Sequence, residues 1–362
     1  MPEIDQESRP DNDTETDTDV VVIGAGISGL SVALGLQDAG VAVAVLEARD
    51  RVGGRLLSVD DLDLGATWYW PNEGRIARLM ERLGLTSHPQ FRKGDAVYQD
   101  PTRIVRLEGN PIDVESSRFS GGAQLVAEAL AERLHPHTVR LGEPVHAIDG
   151  RDARVVLATP RAEVSAQQVV LALPPALVDA SITITPPLDP ALAALARQTP
   201  VWMGATAKVV VHYATPFWRE VGLSGSAMSH SGPLREIHDM SGPSGDPAAL
   251  FGFAAGEETD SGALSEDRIR SQLIDLFGAQ ASNPIRILIQ DWSQEAFTSP
   301  PGSSRLTRHD LFGHPLYAQP ALDGRLHWAS TETVTEFPGH IEGALAAAER
   351  AIAAILDSTA KG

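Results

Sequence analysis

The sequence predicts an α/β fold built around a parallel sheet, and four features between residues 20 and 46 support this prediction. The β-branched run at residues 20–23 is typical of a strand that is buried on both faces. An apolar segment of helical length follows and ends near Ala39, and residues 41–46 form a second strand-like run. A glycine-rich turn lies between the first strand and the helix. Together these elements predict a Rossmann-like βαβ unit, which is a dinucleotide-binding arrangement.

The turn carries Gly24, Gly26 and Gly29 in the spacing G-x-G-x-x-G. The first glycine permits a tight turn, the second lets a pyrophosphate approach the backbone, and the third lets helix and strand pack closely. The amino end of the helix presents free N–H groups to the phosphates. Glu47 ends the second strand 18 residues after Gly29, where a carboxylate accepts hydrogen bonds from a ribose hydroxyl. Because all these elements occur in order, the sequence predicts a bound dinucleotide.

A second glycine motif follows directly. Gly53 and Gly54 allow close backbone approach, and Arg55 is a fork-shaped cation suited to phosphate. A Gly-Ala-Thr-Trp turn comes next, at residues 65–68. These segments resemble the GG motif of the flavin amine oxidases, a family of FAD-dependent oxidoreductases that includes the monoamine and polyamine oxidases. The resemblance implies that the glycine pair and arginine contact the pyrophosphate and ribityl chain of FAD, and that the Gly-Ala-x-Trp turn lies near its isoalloxazine ring.

The resemblance continues from residue 19 to about residue 355. It implies that the backbone at Val145 contacts the adenine and that Trp292 packs near the flavin. Residues 327–333 and 339–344 resemble the closing FAD motif, in which Glu332 touches the ribityl–phosphate portion. A helix from Ile341 onward would aim its amino end at the pyrimidine edge of the flavin, where its dipole favours the negative charge of the reduced ring.

The motifs and the resemblance therefore assign one set of residues to the cofactor. They are Gly24, Gly26, Ile27, Ser28, Gly29, Glu47, Ala48, Arg49, Gly53, Gly54, Arg55, Gly65, Ala66, Thr67, Trp68, Val145, Trp292, Thr331, Glu332, His340 and Ile341.

At 362 residues, the chain is long enough for two domains. We predict a discontinuous FAD-binding domain and an interleaved α+β substrate domain with a mixed sheet and helices. The predicted boundaries are a disordered acidic tail at 1–18, the FAD-binding domain at 19–75, 120–176 and 299–357, and the substrate-binding domain at 76–119 and 177–298. The apolar run after residue 19 lacks a basic leader and is interrupted by glycines, so we expect neither a signal peptide nor a membrane span, and a cytoplasmic protein.

The sequence has no cysteine, which excludes disulfides, thiolate metal sites and a cysteinyl flavin link. FAD is therefore expected to be held non-covalently. The net charge of −19 disfavours nucleic acid as a partner, and we favour solubility over substrate steering as its reason. Glu236, His238 and Asp239 show no metal-ligand spacing, so no metal site is predicted. A homodimer stays open from the sequence.

Lys208 is the predicted catalytic residue. It stands in a Gly-x-x-x-Lys arrangement that begins at Gly204, on a strand-like run over residues 201–213, with Pro-Phe-Trp at 216–218. This resembles the lysine strand of the flavin amine oxidases, whose lysine holds a water against flavin N5 and promotes reoxidation by O₂. A buried ammonium there would stabilise developing superoxide. The alternative is a strand lysine whose end reaches solvent.

The predicted substrate pocket departs from the family pattern. Many relatives place two aromatic rings on either side of the amine, but here the first position falls in residues 299–303 and the second is His340. Trp68, Trp70 and Phe297 are the side chains expected to line the pocket with it. His340 either orients a polar substrate, acts as a base, or is bonded to backbone at the start of the helix.

The resemblance implies an oxidase that moves a hydride from the α-carbon of an amine to flavin N5, releases an imine, and forms hydrogen peroxide with O₂. Two alternatives stay open. One is a related FAD-dependent desaturase or a renalase-like oxidase of dihydronicotinamides, acting on a non-amine. The other is a flavin-stabilised binding module without turnover. Rapid reduction of the flavin by an amine would distinguish the amine oxidase from both alternatives.

Overall fold

The computed structural model describes residues 18–255, 264–303 and 307–359. The predicted acidic tail lies outside the described residues except for its last position, Thr18. In the described part of the chain, no helix has both the length and the apolar character needed to span a membrane.

The chain alternates short strands with helices throughout. The strands are β1 (Thr18–Ile23), β2 (Val43–Glu47), β3 (Ser58–Val59), β4 (Leu62–Asp63), β5 (Trp68–Tyr69), β6 (Ser87–Pro89), β7 (Asp95–Gln99), β8 (Ile104–Leu107), β9 (Ser117–Phe119), β10 (Val139–Leu141), β11 (Ala147–Asp149), β12 (Val155–Ala158), β13 (Glu163–Leu171), β14 (Thr183–Thr185), β15 (Thr206–Tyr213), β16 (Leu223–Ser229), β17 (Glu236–Asp239), β18 (Ala248–Ala255), β19 (Arg286–Asp291) and β20 (Leu326–Trp328). The α-helices are α1 (Ile27–Asp38), α2 (Gly74–Leu83), α3 (Gln124–Ala131), α4 (Pro175–Ser181), α5 (Pro190–Gln198), α6 (Phe217–Glu220), α7 (Glu266–Phe277) and α8 (Ile341–Thr359). Short 3₁₀ turns occupy Ala279–Ser282, Trp292–Gln294, His309–Leu311, Pro315–Ala318 and Thr331–Thr333.

The first sheet has eight strands in the order β10-β2-β1-β13-β12-β11-β14, with β20 paired to β13. Strand β1 lies in its middle and pairs in parallel with both β2 and β13. Strands β11 and β12 add an antiparallel hairpin. The predicted α/β fold with a Rossmann-like sheet is confirmed. Because β1 and β2 are adjacent and parallel, their carboxyl ends lie side by side. The glycine turn after β1 and Glu47 at the end of β2 are therefore close together.

Burial on both faces explains the apolar run of β1. Val20 and Val22 pack on one face of the sheet, against α1, α3 and α8. Val21 and Ile23 pack on the other face, in a cluster that includes residues of α4 and α5. Successive side chains of a strand point to opposite faces, so every residue of such a strand is apolar when both faces are covered.

The second sheet has seven strands in the order β19-β15-β18-β17-β16-β7-β8. Helices α6 and α7 contribute Trp218, Ile269 and Leu273 to the cluster on one of its faces. The predicted strand over residues 201–213 begins later than expected, at Thr206. Residues 201–205 form a turn instead, in which Met203 has a φ of 58° and the Gly204 N–H donates to the Val201 carbonyl at 3.0 Å.

The domain boundaries stay a prediction. The pairing of the strands shows that β14, at residues 183–185, belongs to the first sheet, whereas the predicted substrate domain includes residues from 177 onward. Strands β7 and β8, from the first predicted insertion, belong to the second sheet.

Candidate functional site

A long cavity of about 670 Å³ runs from the glycine turn of the first sheet to the face of the second sheet. Many of the residues predicted to bind the cofactor line it. These are Gly24, Gly26, Ile27, Ser28, Glu47, Arg49, Gly53, Gly54, Arg55, Gly65, Ala66, Thr67, Trp68, Trp292, Thr331, His340 and Ile341. Gly29, Ala48, Val145 and Glu332 do not line it, but Gly29 lies against the lining residue Gly24, and Glu332 binds the lining residue Arg55. The individual roles of these residues stay predictions.

The two glycine motifs lie side by side. Gly26 and Gly53 form an isolated parallel bridge, and the Gly53 N–H donates to the Ala25 carbonyl at 2.8 Å. A Cβ on Gly29 would lie 2.0 Å from the Gly24 carbonyl oxygen, so this position accepts only glycine. A Cβ on Gly26 would meet nothing closer than the Gly53 oxygen at 4.0 Å, which leaves room for a ligand at this point. The backbone therefore fits a bound pyrophosphate.

Glu47 is buried at one end of the cavity, with 3% of its surface exposed. Its Oε2 accepts the Ala25 N–H at 2.7 Å, and its Oε1 accepts the Arg49 N–H at 3.0 Å. The Arg49 guanidinium donates to Thr298 Oγ1 at 2.8 Å and lies 5.7 Å from the centre of the Phe297 ring. Phe297, which was expected in the substrate pocket, is thus placed at the same end of the cavity as Glu47.

Arg55 and Glu332, which are 277 positions apart in the sequence, pair in one wall of the cavity. The Arg55 Nη1 donates to Glu332 Oε1 at 2.6 Å and Nη2 donates to Oε2 at 3.2 Å. Glu332 is fully buried, and the paired guanidinium balances its charge. On the opposite side, the Ser28 hydroxyl donates to the Ala329 carbonyl. Both contacts fix residues 329–332 against the glycine motifs.

Lys208 lies on β15 at the opposite end of the cavity and is 2% exposed. Its Nζ donates to the Gly65 carbonyl at 2.8 Å and to Thr67 Oγ1, so it contacts the predicted Gly-Ala-Thr-Trp turn. Its Nζ also lies 4.4 Å from the centre of the Phe251 ring. The alternative of a lysine that reaches solvent does not fit this burial.

The charge of Lys208 is finely balanced. Burial lowers the pKa of Lys208 to about 7, and the positive charge of Arg118 acts in the same direction, whereas Asp63 opposes the shift. Asp63 and Arg118 are themselves buried and 3.6 Å apart. The amine of Lys208 therefore changes its protonation state near neutral pH.

Aromatic rings line the cavity between these two ends. His340 packs on Trp70 with ring centres 4.9 Å apart and lies 6.0 Å from Trp202. Its Nδ1 lies 2.6 Å from Glu73 Oε1, and its carbonyl accepts the Thr331 hydroxyl at 2.9 Å. The side chain of His340 is thus held by a carboxylate, while its backbone fixes the start of α8. Trp68 stands edge-on to Trp70 at 6.1 Å.

A second polar group lines the cavity on β17. Glu236 Oε1 lies 2.9 Å from His238 Nε2, and His238 Nδ1 is hydrogen-bonded to Asp113 Oδ1. Asp113 also accepts bonds from Ser226 and Asn110. Burial disfavours a charged imidazole, but the hydrogen bonds with Asp113 and Glu236 raise the pKa of His238 above its ordinary value.

The sequence did not identify several of these residues as part of a site. Trp202, Met203, Arg235 and Glu236 line the cavity, and Glu73 holds His340. Glu236 and His238 are two residues apart on one strand, so their side chains lie on the same face. This spacing could have indicated from the sequence that the two polar side chains are neighbours. Glu73 and Trp202 carry no local signal, because their partners lie far away in the sequence.

Comparisons with known proteins agree with this geometry. A family model described as flavin containing amine oxidoreductase matches residues 27–118 and 112–356. The chain is similar to amine oxidase [flavin-containing] B of Sus scrofa, at 28% identity over 94% of this chain and 86% of the relative. It is also similar to putrescine oxidase of Kocuria rosea, at 28% identity over 95% of this chain and 96% of the relative.

Two solved structures share the fold. One is wild-type putrescine oxidase bound to putrescine, with a TM-score of 0.82 and 24% identity over 94% of this chain and 99% of that chain. The other is cyclohexylamine oxidase from Brevibacterium oxydans, with a TM-score of 0.83 and 22% identity over 95% of this chain and 100% of that chain.

Proposed function

This chain belongs to the flavin-containing amine oxidoreductases, and from that premise we propose that it oxidises a small amine at the α-carbon and passes the electrons to O₂. It is an FAD-dependent oxidoreductase. When bound, the FAD supplies the redox chemistry, which removes a hydride from the α-carbon of a neutral amine and leaves an iminium ion. The iminium ion loses a proton to give the imine, and O₂ takes up the hydride and one proton as hydrogen peroxide. Water then hydrolyses the imine.

One observation carries the proposal. A single cavity connects the paired glycine motifs and Glu47 with a buried lysine and an aromatic wall. A nucleotide end and a reaction end in one continuous space fit an extended cofactor together with a small organic substrate. We propose that Glu47, the two glycine motifs and Arg55 hold FAD, as the sequence predicts.

The protein contributes positioning and a dry environment. Trp68, Trp70 and His340 supply flat walls that orient a small amine. A largely apolar lining favours the neutral amine over its ammonium form, and the neutral form is the one that can lose a hydride. His340, held by Glu73, takes the place of an aromatic ring and gives the wall a polar edge.

Lys208 is proposed to serve the oxygen reaction. Its ammonium form places a positive charge in a buried site, where charge acts strongly on the anion that forms as O₂ accepts an electron. The contacts with Gly65 and Thr67 fix the position of that charge.

The proposal is tested by mixing the purified holoprotein anaerobically with primary, secondary and polyamines and following the visible absorbance of the flavin. We expect at least one amine to bleach it rapidly, and air to restore it with formation of hydrogen peroxide. Bleaching by a dihydronicotinamide and by no amine would instead support the dihydronicotinamide oxidase. If no candidate substrate bleached the flavin, the binding module without turnover would be favoured.

A further inference from the structure

Asp63 and Arg118 form a buried ion pair near Lys208. Asp63 ends β4 and has no exposed surface, and Arg118 lies on β9 and is 3% exposed. The Asp63 Oδ2 and Arg118 Nη2 atoms are 3.6 Å apart. A buried ion without a counter-charge strongly destabilises a fold, so each member of this pair depends on the other. Neither side chain lines the cavity, so neither is placed to contact a bound ligand.

The pair lies beside the turn that holds Lys208. The Gly65–Thr67 turn accepts the Lys208 amine at 2.8 Å through its first carbonyl, and it begins two residues after Asp63. Arg118 on β9 pairs with Trp68 on β5, the residue directly after the turn. One short segment of the chain therefore binds the lysine and also positions both charges of the pair.

The carboxylate of the pair is fixed by bonds that do not involve the guanidinium. Asp63 Oδ1 accepts the Ala123 N–H at 2.8 Å and the Ser58 hydroxyl at 2.7 Å. The guanidinium is held by fewer bonds, because Arg118 Nε and Nη1 have no hydrogen-bond partner within the described part of the chain. The negative charge thus has a defined position, and it balances the positive charge mainly through space.

The charges that act on Lys208 come from this pair. The carboxylate of the pair favours the protonated amine, and the guanidinium disfavours it. The residues that pair with Lys208 on the neighbouring strands are Phe253 and Gln290, which carry no charge. Glu236 stands one strand beyond Phe253 in the same row. Among the charged groups around the lysine, the pair therefore has the main effect on its proton.

The charges around the pair itself are also defined. Arg118 pairs with His88 on β6, and burial lowers the pKa of His88 to about 4, so this ring is neutral at pH 7. Asp239 on β17 also acts on Arg118, but its carboxylate is bonded to Trp218 and Arg219. The carboxylate of the pair is the larger of the two negative charges that stabilise the guanidinium.

The pair leaves the amine of Lys208 free to change its charge. A guanidinium keeps its proton in proteins, so Arg118 stays positive. Burial raises the pKa of Asp63, but Arg118 and Lys208 act in the opposite direction. The carboxylate facing the guanidinium is therefore ionised, because the buried cation would otherwise be uncompensated. With this charge already balanced, the carboxylate attracts the ammonium of Lys208 without holding it in a full ion pair.

We propose that the Asp63–Arg118 pair sets the charge of Lys208, and thereby the pH range in which the reduced flavin reacts rapidly with O₂. The inference rests on the proposed function, in which Lys208 serves the oxygen reaction. Both members of the pair are positioning residues, since they act through the lysine. Removal of the carboxylate favours the neutral amine, and removal of the guanidinium favours the ammonium. A loss of packing alone would not give shifts of opposite sign.

The first test follows the proton of Lys208 directly in the holoprotein. The chain has three lysines, Lys93, Lys208 and Lys361, so lysine labelled with ¹³C at Cε gives few NMR signals. The signal of Lys208 is the one missing in Lys208→Met. We expect it to titrate near pH 7 in the wild type. Its midpoint should fall by about one pH unit or more in Asp63→Asn and rise by a similar amount in Arg118→Met.

The second test measures the oxygen reaction without an amine. The holoprotein is reduced anaerobically by light and EDTA and then mixed with oxygenated buffer over a range of pH. The midpoint of the reoxidation rate should shift in the same direction as the NMR midpoint of each variant. Arg118→Lys keeps the positive charge and should restore most of the wild-type midpoint. Asp60→Asn, whose side chain is 75% exposed, is the matched control and should leave the midpoint unchanged.

Melting temperature and flavin content report whether each variant folds and binds FAD, and either single variant alone still gives a shift of predicted sign. The inference is overturned if Lys208 of folded Asp63→Asn titrates at the wild-type pH, or if Asp63→Asn and Arg118→Met shift it in the same direction. Shifted NMR midpoints with a reoxidation rate that is flat in every protein would instead refute the proposed role of Lys208, and with it the link from the pair to O₂. Neither readout depends on which amine, if any, reduces the flavin.

Discussion

At the scale of single residues, Lys208 combines features that are rarely found together. It is buried, its Nζ contacts the Gly65–Thr67 turn, and its pKa is lowered to about 7. An ordinary lysine has a pKa near 10.4 and stays charged throughout the neutral range. The burial of this lysine therefore makes its charge sensitive to pH in a range where an exposed lysine is insensitive.

Replacement of Lys208 by methionine should separate the two halves of the reaction. We expect anaerobic bleaching by an amine to persist, because no proton transfer by Lys208 is needed for it. Reoxidation by air should slow at least about 10-fold, because a positive charge at the site of oxygen reduction is lost. Stopped-flow absorbance measures both steps. Lys93→Met, at an exposed position, is the matched control, and unchanged aerobic recovery in Lys208→Met would disprove the role.

The rate of reoxidation should also depend on pH. In the wild type, the fraction of protonated Lys208 falls as the pH rises through about 7, so the reoxidation rate should fall in the same range. Lys208→Met has no such group and should show a flat profile there. Reoxidation followed over about two pH units on either side of the midpoint tests this. A wild-type profile as flat as that of the variant would show that the protonation state of this lysine does not control the rate.

Many of the residues that line the cavity could be predicted from the sequence, because their spacing along the chain is itself the signal. Gly24, Gly26 and Gly29 act through backbone geometry that their spacing alone specifies. The pair of His340 and Glu73 could not be found in this way, because the two residues are 267 positions apart. The same holds for His238 and Asp113, which are 125 positions apart. Side-chain partners brought together by the fold leave no periodic trace in the sequence.

At the scale of elements, α8 and α2 are joined by one carboxylate. Glu342, in the first turn of α8, is 2% exposed and accepts the N–H groups of Arg75 at 2.8 Å and Ile76 at 3.0 Å. These N–H groups lie in the first turn of α2, where no partner within the helix is available. The α2 helix has no side-chain cap of its own, so a neighbouring helix supplies it.

Glu342→Gln should lower the free energy of unfolding by about 1–3 kcal/mol, because a buried charge-assisted cap is weakened. Glu349 gives a matched comparison, since it binds the same Arg75 at 2.8 Å but its side chain is 58% exposed. Glu349→Gln should change stability by less than about 1 kcal/mol. Denaturant unfolding of both variants tests the difference. Equal effects of the two substitutions would mean that Arg75, and not the cap on α2, carries the contribution.

Element boundaries show where sequence patterns stop being informative. The strand expected from Val201 begins at Thr206 because Met203 takes a left-handed backbone conformation that closes a turn. Positive φ values are uncommon for residues other than glycine, so nothing in the side chain of Met203 predicts this turn. The strand of Lys208 was still correctly predicted, because residues 206–213 are enriched in β-branched residues and form its buried interior.

At the scale of the whole molecule, the predicted cofactor connects segments that are far apart in the sequence. Binding of FAD to the folded apoprotein should therefore stabilise the entire chain, by about 2.7 kcal/mol when free FAD is at a hundredfold excess over Kd. The melting temperature of the apoprotein with and without FAD measures this. A melting temperature that does not rise would contradict the assignment of the cavity to FAD.

Gly26→Ala serves as the internal control for that experiment. Gly26 has a φ of −72°, and a Cβ there meets no atom closer than 4.0 Å, so the variant should fold with an unchanged melting temperature in the absence of FAD. Its methyl group, however, occupies the approach of the pyrophosphate. The gain on addition of FAD should be smaller than in the wild type, and an equal gain would show that phosphate does not approach at Gly26.

The wall in which Ser28 meets Ala329 and Arg55 meets Glu332 has a consequence for biosynthesis. On the ribosome, the glycine motifs emerge early, but the segment that closes the cavity against them is translated some three hundred residues later. While residues 329–332 are still missing, the cavity lacks the wall that they form with Ser28 and Arg55. We therefore expect FAD to bind after translation, so that its supply acts on finished chains and not on those still being synthesised.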